Sequence, residues 1–272
     1  MNNQSDNLVQ SLDRGLQLLL VFEDQGPDLS LGQLSQALDL PKSTVHRLIT
    51  TLCARGFMEQ VKGTGNYRLG LRLHGLGART VVARTLTSEA EPFLKSLLEK
   101  HGETVSISVL DGLEAVIVDK MESQQAMRVT SQIGKRNPVH CSASGKVLLA
   151  FAHPEAMEKI LARVSLDRYT DKTITCREAL RRHLEEVQRR GYAVDDEEIQ
   201  EDQVCLSAPV WDHEGAVCAA ITISGPAGRI RAKGLAAIAA SIVDAAWELS
   251  GRLGAPMTGR EKGGGVKNEG VP

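Results

Sequence analysis

The sequence predicts an α+β protein in which an N-terminal winged helix-turn-helix is joined by a linker helix to a larger α+β domain. Three observations predict it. Leu31 to Leu71 places two short amphipathic helices, a Pro-marked turn and a Gly-tipped ribbon in one order. Beyond Thr87 the apolar pattern switches repeatedly between period two and period 3.6. A chain of 272 residues is long enough for two domains with separate cores.

Residues 1–7 read as a polar arm. Leu8 to Glu23 forms a first helix, with Leu8, Leu12, Leu16, Leu19, Leu20 and Val21 expected to pack under the next two helices. Gln25-Gly26-Pro27-Asp28 ends it. Leu31, Leu34 and Leu38 stripe the second helix, with Ser30 as its N-cap. Pro41 marks the start of the third. There Val45, Leu48, Ile49 and Leu52 make the apolar face, and Gly56 the stop. Phe57 to Val61 and Asn66 to Leu71 flank the Gly63-Thr64-Gly65 turn as short strands.

The third helix bears the features of a recognition helix. Lys42, Ser43, Thr44, His46 and Arg47 crowd its first turns, where such a helix meets base edges. Hydroxyls donate to phosphates and Arg pairs bidentately with guanine. Lys62 and Arg68 lie on the ribbon, and Arg14 on the polar side of the first helix, each placed for a phosphate. An ordinary helical hairpin with a solvated face is the bland alternative; the turn and ribbon in the right order weigh against it.

Leu71 to Thr85 is helical in pattern, loosened by two glycines, and is read as a linker helix that also contributes to a dimer contact. The expected division is 8–71 DNA-binding domain, 72–86 linker, 87–253 second domain and 254–272 a Gly- and charge-rich disordered tail. In the second domain, Thr87 to His101 is an amphipathic helix. Thr104 to Leu110 and Glu114 to Met121 form a hairpin around Asp111-Gly112, and Ala126 to Ile133 is expected as a third strand, followed by a loop over 134–138. Helices follow at Ser144 to Phe151, Pro154 to Ala162 and Cys176 to Arg190. A strand starts at Tyr192, a hairpin pairs Val204 to Trp211 with Ala216 to Ser224, and Gly234 to Leu253 is a terminal helix.

Composition narrows the function classes. Net charge is −2, and the first 79 residues hold eight Lys/Arg against seven Asp/Glu, so bulk charge does not drive nucleic-acid binding. A few cations on one face still suffice. Five widely spaced cysteines, with no CxxC and no Cys/His cluster, argue against a disulfide framework and a zinc site. No apolar run reaches the ~18 residues of a membrane span, and the N-terminus lacks a signal core. A cytoplasmic protein with reduced thiols and no cofactor is expected.

Four spots in the second domain carry candidate chemistry. Ser142, Ala143, Ser144 and Gly145 open a helix, where free amides and a positive dipole end suit an anion. The stretch is no Walker loop, because Val147 follows Lys146. Asp195 heads an acidic run, Cys205 lies in an apolar strand, and Thr222 and Ser224 share one strand face. Taken singly, these read equally well as a helix cap, a solvated loop, a core thiol and strand-end hydroxyls. His140 and Cys141, taken as strand neighbours, point to opposite faces, so no nucleophile–base pair is convincing.

LPKSTVHRLITTL at Leu40 to Leu52, GKRNPVHCSASGKVLLAF at Gly134 to Phe151, and GYAVDDEEIQEDQVCLSAPVWD at Gly191 to Asp212 resemble the IclR family of bacterial transcriptional regulators. The last stretch has the family's spacing at Gly191, Asp195, Glu198 and Cys205, with Trp211 where Phe, Tyr or His is usual. The resemblance implies a winged helix, a GAF-like effector-binding domain, and homodimers or dimers of dimers on palindromic double-stranded DNA. It also implies that Asp195, Cys205, Thr222 and Ser224 join the helix start at Ala143 and Ser144, flanked by Ser142 and Gly145, in one pocket for a small organic acid. The 136–151 and YTDKTIT stretches look most like regulators of sugar-acid catabolism. A ligand-dependent repressor is the expected function. A ligand-independent architectural DNA binder and an enzyme with a DNA-binding appendage are the alternatives.

Overall fold

The computed structural model describes residues 8–77 and 81–256, which fall into two compact units, 1–84 and 85–272. The arm at 1–7 and the tail beyond 256 lie outside the described residues, as does the middle of the expected linker.

The first unit contains α1 (Gln10–Asp24), α2 (Leu31–Leu38), α3 (Lys42–Ala54), β1 (Met58–Gln60), β2 (Tyr67–Leu69) and α4 (Leu71–Gly77). Ser30 caps α2 in a capping box: its hydroxyl accepts from the Gln33 amide while the Gln33 side chain accepts from the Ser30 amide. Asp39 turns the chain in the left-handed region at φ 50°, and Pro41 leads into α3. β1 and β2 pair antiparallel, with Glu59 opposite Arg68, and Leu29 bridges to Tyr67. Gly70 lets β2 pass the end of α3, because a Cβ there would sit 2.3 Å from the Gly56 carbonyl oxygen.

The core of this unit is Leu18, Phe22, Leu29, Leu34, Val45, Ile49, Met58 and Tyr67. That corrects the expected face of α1. Leu8, Leu12, Leu16 and Leu20 are exposed, and only Leu19 and Val21 of the expected set pack against the core, beside Leu18 and Phe22. A leucine-rich helix offers more than one i, i+4 line, and α2 and α3 cover only one of them.

The second unit takes in α5 (Val81–His101), β3 (Thr104–Asp111), β4 (Glu114–Met121), β5 (Arg136–Pro138), α6 (Ala143–Ala150) and α7 (Pro154–Arg163). It continues with α8 (Arg177–Arg190), β6 (Ala193–Asp196), β7 (Gln203–Trp211), β8 (Val217–Pro226), α9 (Ala227–Lys233) and α10 (Leu235–Arg252). Six antiparallel strands lie in the order β5-β4-β3-β8-β7-β6. One face packs on α5 and α10 through residues such as Leu94, Ile107, Leu206, Ile221, Ile223 and Ile242. The other packs on α6, α7 and α8 through Val147, Leu161, Leu184, Ala193 and Ala220. At the end of β7, the Trp211 ring meets Phe151 edge-on at 5.3 Å and stacks on Trp247 at 6.3 Å.

Four expectations need correction. Ala126 to Ile133 is not a strand; the short strand is β5, within the expected loop. The carbonyls of Met127, Val129 and Ser131 are taken by the side chains of Arg229, Thr104 and Lys120, so the segment is an extended strap with no strand ladder. His140 and Cys141 lie in a turn, both buried. α5 begins at Val81 and runs unbroken through Pro92, where a linker and a separate helix were expected. α9 was not foreseen; Arg229 and Lys233 on it hold the fully buried Glu103.

Candidate nucleic-acid interface and effector site

On α3 the apolar stripe faces inward, Val45 and Ile49 fully and Leu48 and Leu52 partly. That leaves Lys42, Ser43, His46 and Arg47 exposed on one face, with Thr44 half-buried beside them. Among the described residues these exposed four make no side-chain hydrogen bond or ion pair, so they remain available to a partner. Thr50 and Thr51 differ: their hydroxyls donate back to the carbonyls of His46 and Arg47. On the wing, Lys62 is exposed in the turn, whereas Arg68 is paired with Glu59. Arg14 is half-buried on α1. The face thus has few uncommitted cations.

In the second unit the pairing register builds a polar floor. Thr104, Ser224, Cys205 and Asp195 are direct partners across β3, β8, β7 and β6. Lys120, Ser106, Thr222 and Ser207 form the next row, two residues along. Their strand neighbours Val105, Leu206 and Ile223 face the α5–α10 core, so both rows face α6, which lies across β3, β6, β7 and β8. The register therefore brings together the predicted Asp195, Cys205, Thr222 and Ser224. It adds Thr104, Ser106, Ser207 and Lys120, which sequence reasoning missed. Their signal was present as the alternation of Thr104, Ser106 and Ser108 along one strand.

The start of α6 divides the four residues predicted there. The Ser142 hydroxyl donates to the Pro138 carbonyl (2.6 Å) and accepts from the Gly145 amide (3.0 Å), so it is an N-cap. Gly145 is demanded by packing: a Cβ would come within 2.5 Å of both Ser142 Oγ and Val139 Cα. Ala143 and Ser144 carry the first amides of the helix, which have no carbonyl to bond within it. One turn on, Lys146 is fully buried and donates to the Val194 carbonyl (2.6 Å) and to the Glu198 carboxylate.

Asp195 is also buried, and its Oδ1 accepts the Glu198 amide at 2.8 Å. Burial pushes its carboxyl up to about 7, against the pull of that amide and of Lys146. Burial first, and Asp195 second, push the thiols of Cys141 and Cys205 up to about 12. Both therefore stay protonated at neutral pH, and neither offers a nucleophilic thiolate. Gln203 donates to Cys205 Sγ, and Ser207 and Thr222 share a 2.9 Å hydrogen bond. The loop Ser165–Thr173 closes on the acidic turn: Thr170 and Thr173 donate to the carbonyls of Glu197 and Glu198, and Lys172 pairs with Glu197.

Two family models cover nearly all of this architecture: the IclR helix-turn-helix domain over residues 11–62 and the bacterial transcriptional regulator IclR C-terminal domain over 78–251. The chain belongs to the IclR family.

Curated relatives of this IclR-family regulator include the HTH-type transcriptional regulator XynR of Escherichia coli (strain K12), 35% identical over 92% of this chain and 99% of the relative. The transcriptional repressor IclR of the same organism is 37% identical over 89% of each chain. Among solved structures, an IclR homolog complexed with 4-hydroxybenzoate from Microbacterium hydrocarbonoxydans superposes with a TM-score of 0.80 at 28% identity, covering 89% of this chain and 98% of that one. The Thermotoga maritima IclR gives 0.73 at 29%, covering 91% and 100%. The family is made up of transcriptional regulators, and IclR-family folds pair a helix-turn-helix with an α+β domain, as seen here. Among the described residues no helix is long and apolar enough to cross a membrane, and no group of three or more His, Cys, Asp or Glu could hold a metal ion.

Proposed function

We propose that this IclR-family regulator is a repressor released or retained on its operator by a small hydroxy or keto acid bound between α6 and the sheet, without turnover of that acid. The observation that carries the reading is the two-row polar floor facing α6. Hydroxyls at Ser106, Thr222 and Ser224 suit a ligand with several oxygens, and the amides of Ala143 and Ser144 suit its carboxylate. The co-crystallised relative binds a carboxylate too. Protonated Cys141 and Cys205 favour binding over catalysis.

A homodimer on a palindromic operator in the cytoplasm completes the proposal. Leu8, Val9, Leu12, Leu16 and Leu20 leave an apolar line exposed along α1, as do Leu71 and Leu76 on α4. A second copy would cover such lines and set two recognition helices on successive half-sites. We keep domain limits of 8–71, 72–86 and 87–253 for this division of labour, the last boundary falling inside α5.

The test is calorimetry of the full chain with lactate, glycerate, gluconate, pyruvate and 4-hydroxybenzoate, followed by gel shifts on the adjacent promoter. One or more non-aromatic acids should bind and change the shift. Arg47→Ala should lose roughly tenfold in preference for operator over random DNA. No binding by any acid refutes the pocket, and tighter binding of the aromatic one refutes the proposed class of non-aromatic hydroxy or keto acid; unchanged preference in Arg47→Ala refutes the recognition face.

A further inference from the structure

The outward face of α3 carries a restricted set of chemical groups. Its sequence, KSTVHRLITTLCA, contains no Asn, Gln, Asp or Glu. Projected at ~100° per residue, Ser43, His46, Arg47 and Thr50 fall within about 100° of arc, with Lys42 and Thr51 at its two flanks. All of these are exposed, while Val45 and Ile49 are buried on the other side.

These groups differ in what they still have to offer. Lys42 and Arg47 carry donors only, and Ser43 and His46 each bring a donor that no neighbour takes among the described residues. The Thr50 hydroxyl donates to the His46 carbonyl at 2.8 Å. Its proton is spent inside the helix, and Thr50 turns a methyl and an oxygen lone pair to its surroundings.

That set can be matched against base edges. In the major groove guanine shows two acceptors, O6 and N7. Adenine shows one acceptor beside a donor, cytosine a donor, and thymine an acceptor beside a methyl. Bidentate pairing with adenine calls for a carboxamide, and the cytosine amino group for a carboxylate. α3 has neither. The donor fork of Arg47 fits guanine, and the methyl of Thr50 fits thymine. Arg47 and Thr50 stand about 4.5 Å apart along the helix axis, which is one to two base-pair steps of roughly 3.4 Å.

We propose that α3 reads each operator half-site as a guanine with a thymine one or two base pairs away, and not through adenine or cytosine amino groups. Arg47 spans O6 and N7 of the guanine, and the Thr50 methyl lies against the thymine methyl. Ser43 and His46 donate to acceptors on neighbouring bases, and Lys42, at the flank, meets a phosphate. This base pattern rests on α3 being the recognition helix, as proposed above.

The test is selection of duplexes from a random pool by the full chain, followed by base analogues placed in the selected site. Each selected half-site should contain a guanine with a thymine one or two base pairs from it. 7-Deazaguanine, which has C–H in place of the N7 acceptor, should weaken binding about tenfold at that guanine. 7-Deazaadenine anywhere in the half-site, or inosine at the guanine, which lacks only the minor-groove amino group, should change affinity by less than about twofold. Uracil for the thymine should weaken binding about threefold, and Thr50→Ser should remove that difference. Arg47→Ala should bind the parent and 7-deazaguanine duplexes alike. Half-sites without the guanine, full affinity for the 7-deazaguanine duplex, or a larger loss with 7-deazaadenine overturns the guanine assignment; indifference to uracil overturns the thymine. If Arg47→Ala loses preference for the selected site but that site has no guanine, the recognition face stands and the base pattern falls. If Arg47→Ala keeps the wild-type preference, the recognition face itself has failed.

Discussion

At the scale of single residues, two buried ionisable groups lie beside the proposed effector pocket. Asp195, with its carboxyl pushed up to about 7 by burial, holds a proton in the folded state that the unfolded chain sheds near 3.8. Stability therefore falls as pH rises from about 3.8 to about 7 and levels off above. In the proposed pocket, ionised Asp195 would repel the carboxylate of the acid, with Lys146 opposing and Glu198 adding to that repulsion. Affinity for the acid should drop roughly tenfold from about pH 6 to about pH 8, and Asp195→Asn should flatten both profiles. Calorimetry and urea melts across that range check this; a flat wild-type profile removes Asp195 from the acid's surroundings. Lys146 is the second case. Lys146→Met strands the buried Glu198 carboxylate and should cost about 3–5 kcal/mol, while Lys146→Met with Glu198→Gln should recover most of it. Chemical denaturation of the single and double variants decides. Sequence reasoning saw Lys146 only as a failed phosphate-loop lysine, because its partner lies 52 residues away.

At the scale of elements, the strap over 122–135 joins the polar floor to the surface. Thr104 donates to the Val129 carbonyl at 2.8 Å and accepts from the Ser123 amide at 3.2 Å, while standing in the row that contains Asp195. Thr104→Val should speed amide exchange across the strap about tenfold or more and leave the sheet amides unchanged. Uniform exchange across strap and sheet would show that Thr104 does not anchor it. The strap also shows where reading from sequence stops. Thr104–Asp111, Glu114–Met121, α6, α8 and the Gly191 stop were legible because period, caps and turns are local signals. The face shared by Asp195, Cys205, Thr222 and Ser224 was legible from family spacing and from strand alternation. The strap was not: its alternation looks like a strand, and only distant Arg229, Thr104 and Lys120 take the carbonyls that a neighbouring strand would otherwise use. The buried face of α1 failed likewise, since composition supplied leucines on several lines and the packing partner chose one.

At the scale of the whole molecule, near-neutral charge and few uncommitted cations mean that one winged helix grips DNA weakly, and the proposed homodimer would supply the affinity that a single unit lacks. The exposed α1 line carries that expectation. Leu12→Glu with Leu16→Glu touches residues 62% and 52% exposed, so the fold should survive by circular dichroism. Sedimentation should report a smaller species, and operator affinity should fall about a hundredfold or more. An unchanged sedimentation profile would move the pairing surface elsewhere.

The aromatic stack at the end of β7 gives the two units different optical signatures. Both tryptophans of the chain, Trp211 and Trp247, belong to that stack, and the DNA-binding unit holds only Tyr67, Phe22 and Phe57 as aromatics. Emission excited at the indole band is thus blind to the winged helix and reports solely on the sheet's junction with α6 and α10. A melt followed by indole emission and again by far-ultraviolet dichroism separates the unfolding of sensor and reader in a single unlabelled sample.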